Sequence, residues 1–199
     1  MKVCRIVLAV GGLLFAASTW SSDSERGLAA FNSTEYDKAF AIWQPLAEAG
    51  DAESQFGLGM MYGNGFGVPM DDALALKWYG LAADQGHANA LCNLAVMYQN
   101  GWGVPANEDE AMRLYLLAAE QGVLEAMLAL GRHYAMDFSE AYDPVESYKW
   151  YSLAARYGDI DARSKREQIA TKLTVEQVAD GNAMVELWAD GHSELHAKE

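Results

Sequence analysis

The chain has 199 residues, is 51% hydrophobic, and carries 28 acidic against 14 basic side chains, a formal net charge of −14. That is enough chain and enough apolar content for one domain with a continuous buried core. The acidic excess repels phosphate backbones and anionic headgroups, so nucleic-acid and membrane-surface roles drop away.

The first segment is expected to address the protein rather than to fold with it. Lys2 and Arg5 make a basic start, Ile6 to Ala17 form an apolar stretch, and Ala16-Ala17-Ser18-Thr19 supplies the small residues that a signal peptidase requires. At about 1.5 Å per residue the apolar run spans roughly 18 Å, short of the ~30 Å hydrocarbon core. Residues 1–22 are therefore read as a signal peptide, and the mature chain is expected in the periplasm or secreted, with no membrane insertion after removal. Cys4 precedes the apolar stretch, which argues against lipoprotein processing. Loss of the segment leaves 12 basic against 28 acidic residues, a net charge of about −16, and Cys92 as the one cysteine, so no intrachain disulfide is expected. The plain reading of this charge is solubility; the sharper one is steering toward a basic partner.

The organising feature lies further on. Residues 52–87 are followed by 88–123 on the same template. Ala52, Leu58, Met61, Tyr62, Asn64, Gly65, Gly67, Val68, Pro69, Ala75, Tyr79, Leu81, Ala82, Ala83, Gln85 and Gly86 each recur 36 positions later, 16 identities in all. Roughly two would arise by chance from ordinary residue frequencies. A fixed period of this length means stacked supersecondary units, each unable to bury its apolar face alone.

Each unit reads as helix, long turn, helix, short turn. In the second copy Ala90, Leu91, Leu94, Met97 and Tyr98 line one face of a first helix that stops at Asn100-Gly101. Gly103-Val104-Pro105 turns the chain, because proline fixes its own φ and pushes Val104 toward an extended conformation. Asn107 followed by Glu110 predicts a capping box that starts the second helix. That helix buries Ala111, Leu114, Tyr115, Ala118 and Ala119, and the alanine pair lets neighbouring helices approach closely.

A degraded form of the template extends both ways. Residues 124–159 keep Ala126, Leu130, Tyr134, Tyr151, Ala154, Ala155 and Gly158 in register but lose the glycine–valine–proline turn. Residues 24–51 form an atypical first unit through Ala39, Trp43, Leu46, Ala47 and Gly50. Beyond Gly158 the chain concentrates basic residues, Arg163, Lys165, Arg166 and Lys172. Thr174-Val175-Glu176-Gln177 is a second capping box, and residues 160–190 are read as two capping helices, with Gly181-Asn182 a place for a kink. Residues 191–199 are expected to be a disordered tail.

The pattern Leu-x-x-Met-Tyr-x-Asn-Gly-x-Gly-Val-Pro followed by Ala-x-x-x-Tyr-x-x-Ala-Ala-x-Gln-Gly stands at Leu58–Pro69 with Ala75–Gly86 and again at Leu94–Pro105 with Ala111–Gly122. It resembles the Sel-one-like repeat family, relatives of the tetratricopeptide repeats, over residues 24–162. Residues 163–190 resemble the capping segment of its bacterial members, in which the position of Gly181 is more often alanine. The resemblance implies an all-α fold, a right-handed α/α superhelix (a tetratricopeptide-like solenoid), working as an adaptor or regulator through protein–protein contacts. In exported bacterial members that means periplasmic signalling, envelope assembly or host interaction.

In the related tetratricopeptide superhelix the groove is lined by the non-core side of each first helix. Mapped here, that side carries Glu53, Phe56, Met60 and Asn64, then Asn89, Cys92, Val96, Gln99 and Asn100 in the second copy, and Glu125, Leu128 and Arg132 in the third. An apolar floor beside polar residues suits an extended or helical peptide segment of another protein. The alternative is that the apolar members pack against adjacent units. A second candidate is the aromatic column Phe66, Trp102, Phe138 in the turns, either an exposed interaction strip or rings that pin their own turns.

Catalysis finds little support. The chain has no Gly-x-Ser-x-Gly elbow, phosphate-cradling loop or His-Glu-x-x-His helix. Neither a cofactor nor a metal is expected; His192 and His196 are four apart, but in the terminal tail. Asp71-Asp72 and Glu108-Asp109-Glu110 stand at helix starts, where the dipole favours negative charge. The expected function is thus a non-enzymatic exported adaptor, with a secreted host-interaction factor as the runner-up. A β-lactam-binding protein or envelope hydrolase is the alternative from another class, weakened because the paired cysteines of the family's β-lactamase branch are missing.

Overall fold

The computed structural model describes residues 19–137 and 139–192, among which ten helices and no strand occur. The helices are α1 (Thr19–Asn32), α2 (Tyr36–Glu48), α3 (Ala52–Asn64), α4 (Asp72–Asp84), α5 (Ala88–Asn100), α6 (Glu108–Ala119), α7 (Leu124–Tyr134), α8 (Pro144–Arg156), α9 (Ile160–Ala170) and α10 (Val175–Gly191). The first helices of the units begin at 52, 88, 124 and 160, and the second helices at 36, 72, 108 and 144. The period therefore runs on through the degraded copies, and α9 opens in the column of a first helix. All but the last few residues of the expected signal segment, and most of the expected tail, lie outside the described residues.

The chain forms two compact units that divide inside α6, one ending at Leu114 and one starting at Tyr115. In the first, α3 packs on α4, α1 on α2, and α2 and α5 on the neighbouring pair. In the second, α7 packs on α8, which also receives α9 and α10. Ala82, Ala118 and Ala154 are all wholly buried, as close helix approach requires. In the column of Ala75 and Ala111 the third unit has Ser147, also wholly buried, whose hydroxyl donates to the Gly131 carbonyl of α7 at 2.8 Å.

Short and long turns repeat in backbone detail. The glycines that close the second helices, Gly50, Gly86, Gly122 and Gly158, have φ of 102°, 80°, 83° and 85°. Across the long turn, the N–H of the residue that caps the second helix donates to a tyrosine carbonyl: Asp71 to Tyr62 at 3.0 Å, Asn107 to Tyr98 at 2.9 Å and Asp143 to Tyr134 at 3.0 Å. The third turn has lost glycine–valine–proline and still closes with this bond. The separation from tyrosine to capping residue is kept, and Pro144 opens α8 beneath an Asp143 carboxylate that accepts from the Val145 and Glu146 N–H groups.

One expectation needs correction. Asn107 caps α6 through Glu110 N–H, at 3.1 Å, but the reciprocal half of the box is missing. The Asn107 N–H is engaged by Tyr98, and the Glu110 carboxylate turns instead to Arg113, at 2.6 and 2.9 Å. α10 runs through Gly181 as one helix from Val175 to Gly191. Gly181 is there because a Cβ in its place would lie 2.7 Å from the Tyr148 ring. The same tyrosine donates its hydroxyl to Asn182 Oδ1 at 3.1 Å, fastening α10 to α8. The box at Thr174 and Gln177 is complete. Cys92, mapped to the groove side of α5, is wholly buried.

Candidate protein-binding surface

In the first unit the candidate groove residues separate into two sets. Phe56 and Met60 are buried, 7% and 4% exposed, so they belong to the core. Phe56 stacks on the His87 ring, centroids 4.5 Å apart, and lies 5.9 Å from Tyr79. Glu53, Asn89, Gln99 and Asn100 are exposed, and Asn64 and Val96 are half-buried. This leaves a mainly polar surface along α3 and α5, with Val96 as its apolar element.

Several of these polar groups are already held by the chain. Asn64 and Asn100 donate their amides to the carbonyls one turn back, Met60 and Val96, at 2.8 and 2.7 Å. His87 Nδ1 accepts from the Ala90 N–H at 3.2 Å, which places the ring proton on Nε2, facing Glu53 at 3.1 Å. Glu53 is thus oriented across from α3 to the start of α5. Behind them, Gln85 donates to Gln55 Oε1 at 2.8 Å, and Gln55 donates to the Ala47 carbonyl at 3.0 Å, tying three successive helices together.

The turn aromatics do not share one environment. Phe66 stacks on Tyr36, centroids 5.2 Å apart, and meets Phe31 edge-on at 5.5 Å. Its ring closes onto the preceding helix pair rather than onto its own turn. Trp102 is half-buried, and Phe138 lies outside the described residues.

In the second unit Arg132 is exposed, while Glu125 and Leu128 are half-buried. Burial pushes the Glu125 carboxyl above its ordinary value, and the negative charge of Asp159 adds to the shift. The Tyr151 phenol is also raised by burial, with the positive charge of Arg132 opposing it. Near the C-terminus His192 stacks on Trp188, centroids 4.2 Å apart, and its Nδ1 lies 2.7 Å from the Trp188 carbonyl. His196 lies outside the described residues, and these contain no cluster of three or more metal-ligating side chains. No helix among them is long and apolar enough to cross a membrane.

What sequence reasoning missed is a cleft of ≈ 340 Å³ among α8, α9 and α10, lined by Ser152, Ala155, Arg156, Arg163, Arg166, Asn182 and Val185. Arg163 and Arg166 stood out only as basic residues in an acidic chain. Arg156 and Asn182 join them through the packing of α9 and α10 on α8, which the composition does not reveal.

Helix pairs at a constant 36-residue interval, closed by the same turn bonds, define an α/α repeat protein of the solenoid class. The Sel1 repeat pattern matches residues 52–87, 88–123 and 124–159, and the chain belongs to the Sel1 repeat family. Its fold is similar to that of a Sel1 repeat protein from Oxalobacter formigenes, at 29% identity and a TM-score of 0.67, over 72% of this chain and 59% of that one. It is also similar to a protective antigen present in uropathogenic Escherichia coli strains that displays an SLR fold, at 21% identity and a TM-score of 0.53, over 89% of this chain and 49% of that one. The chain thus spans about half to three-fifths of the length of these relatives. No curated protein matches it.

Proposed function

We propose that the chain is an exported adaptor that binds another protein through the solvent-facing side of its first helices. The observation that carries this reading is the sorting along α3 and α5: Phe56 and Met60 turn into the core, while Glu53, Asn89, Gln99 and Asn100 face water beside Val96. Side chains so arranged on helices fixed by capped turns offer a preorganised polar surface, which lowers the ordering cost of binding. Family membership supports a role in protein–protein contact. The basic start and apolar run before Thr19 support export to the periplasm. A net charge of −14 favours a partner with a basic contact surface.

The test is an in-cell crosslinking capture with the wild-type chain and a Glu53→Lys/Asn89→Lys/Gln99→Lys variant. A dominant captured protein that the folded variant loses supports the reading, and equal capture by both removes the surface from it. The mass of the chain recovered from a periplasmic fraction tests export separately: loss of an N-terminal segment is expected, and a full-length cytoplasmic product would contradict it.

A further inference from the structure

We propose that the cleft among α8, α9 and α10 binds a small phosphomonoester through its phosphate group. Three arginines, Arg156, Arg163 and Arg166, line one cleft in a chain of net charge −14. Like charges gathered this way repel one another, so the arrangement is favourable when an anion lies among them.

The acidic side chains nearby compensate them unevenly. Glu186 pairs with Arg156. Glu167 reaches Arg166 only at 3.8 Å, a loose contact between adjacent residues. Arg163 has no ion pair among the described residues. The cleft therefore keeps an excess of positive charge, which matches a dianion.

A second, independent feature points to a ligand. Ser152 is 5% exposed, lines the cleft, and its hydroxyl has no hydrogen-bond partner among the described residues. A buried hydroxyl left unpaired is destabilising, and an oxyanion in the cleft would accept from it. Asn182 accepts from Tyr148 with its carbonyl oxygen, so its amide N–H groups remain as donors at the same wall. Donor-bearing side chains thus come from three helices: Ser152 and Arg156 from α8, Arg163 and Arg166 from α9, and Asn182 from α10. Convergence from several directions fits a tetrahedral oxyanion better than a planar one, and arginine forks bind phosphate with two parallel hydrogen bonds. The ≈ 340 Å³ of the cleft exceeds what phosphate alone fills and leaves room for a small esterified group.

The test is calorimetric titration of the full chain with inorganic phosphate, glycerol 3-phosphate and malonate at matched ionic strength. The expected result is binding of both phosphates, with the ester tighter and malonate weaker. Arg163→Gln should weaken binding about tenfold or more, and Ser152→Ala less. Arg113→Gln, which removes an exposed guanidinium elsewhere, should leave binding unchanged, and Arg163→Lys should retain part of it. Because Arg163 is exposed, its variants should keep the wild-type melting temperature without ligand. Absence of binding by both phosphates would overturn the proposal. So would equal losses in Arg163→Gln and Arg113→Gln, or malonate binding as tightly as the ester.

Discussion

Gly103 lies against the carbonyl of Asp72, so close that a Cβ built on Gly103 would stand 2.6 Å from that oxygen. The equivalent glycine one repeat earlier, Gly67, meets Tyr36 in the same way, its Cβ position 2.5 Å from the tyrosine Cβ. Tyr36 and Asp72 are the first residues of α2 and α4. The second glycine of each Gly-x-Gly turn is therefore a contact between consecutive repeats as well as a bend.

The first prediction separates those two roles. Gly86 has φ of +80° and nothing within 4 Å of its Cβ position, so Gly86→Ala carries only the left-handed strain, about 1–2 kcal/mol. Gly103→Ala, at φ of +70°, adds a clash with backbone and should lose a further 1–3 kcal/mol or so. Chemical denaturation of both variants checks this, and equal losses would contradict the contact.

Met60→Glu should destabilise the protein by about 3 kcal/mol or more, because Met60 is 4% exposed and a carboxylate there has no partner. Arg132→Glu, at an exposed position, should stay within about 0.5 kcal/mol of wild type. Thermal melts followed by circular dichroism distinguish them. Only the second is usable as a probe of binding.

Overfilling the alanine column should be felt at once. Ala82 has no exposed surface, and Ala82→Phe should cost about 1–3 kcal/mol and lower the melting temperature. An unshifted transition would contradict the close approach of these helices.

Glu125 gives a pH dependence of definite sign. Its carboxyl is raised by burial and by Asp159, so ionising it opposes folding. That penalty is absent below the ordinary carboxylate value, grows as pH rises toward the raised one, and is full above it. Glu125→Gln should therefore raise the melting temperature at neutral pH, with the gain shrinking to nothing in acid. A gain that persists below pH ~3 would point to a cause other than ionisation.

The helices and their register were legible because glycine, proline and the alanine pairs act through local backbone geometry, which repeats with the sequence. Tyr134 to Asp143 shows the limit of motif reading: the third turn keeps its closing bond without glycine, valine or proline. Asn107 and Glu110 show another, since a correct capping pattern was half-satisfied once Tyr98 and Arg113 competed for the same groups. At the candidate surface, helical spacing placed Phe56, Met60 and Asn89 on one mapped side of their helices, but depth below the surface depends on the neighbouring pair. His87 and Tyr79 cover Phe56, while Asn89 faces water. The arginine cleft was hidden because Arg156 ends α8 while Arg163 and Arg166 lie on α9, and a long-range docking contact, Tyr148 with Gly181 and Asn182, completes its wall.

The most direct measurement is crosslinking capture in living cells with the wild-type chain beside the Glu53→Lys/Asn89→Lys/Gln99→Lys variant, each shown to be folded by circular dichroism. The account predicts one dominant partner protein, present with wild type and lost with the variant. Capture of that partner by both, or of none by wild type, would contradict a binding surface on these helices.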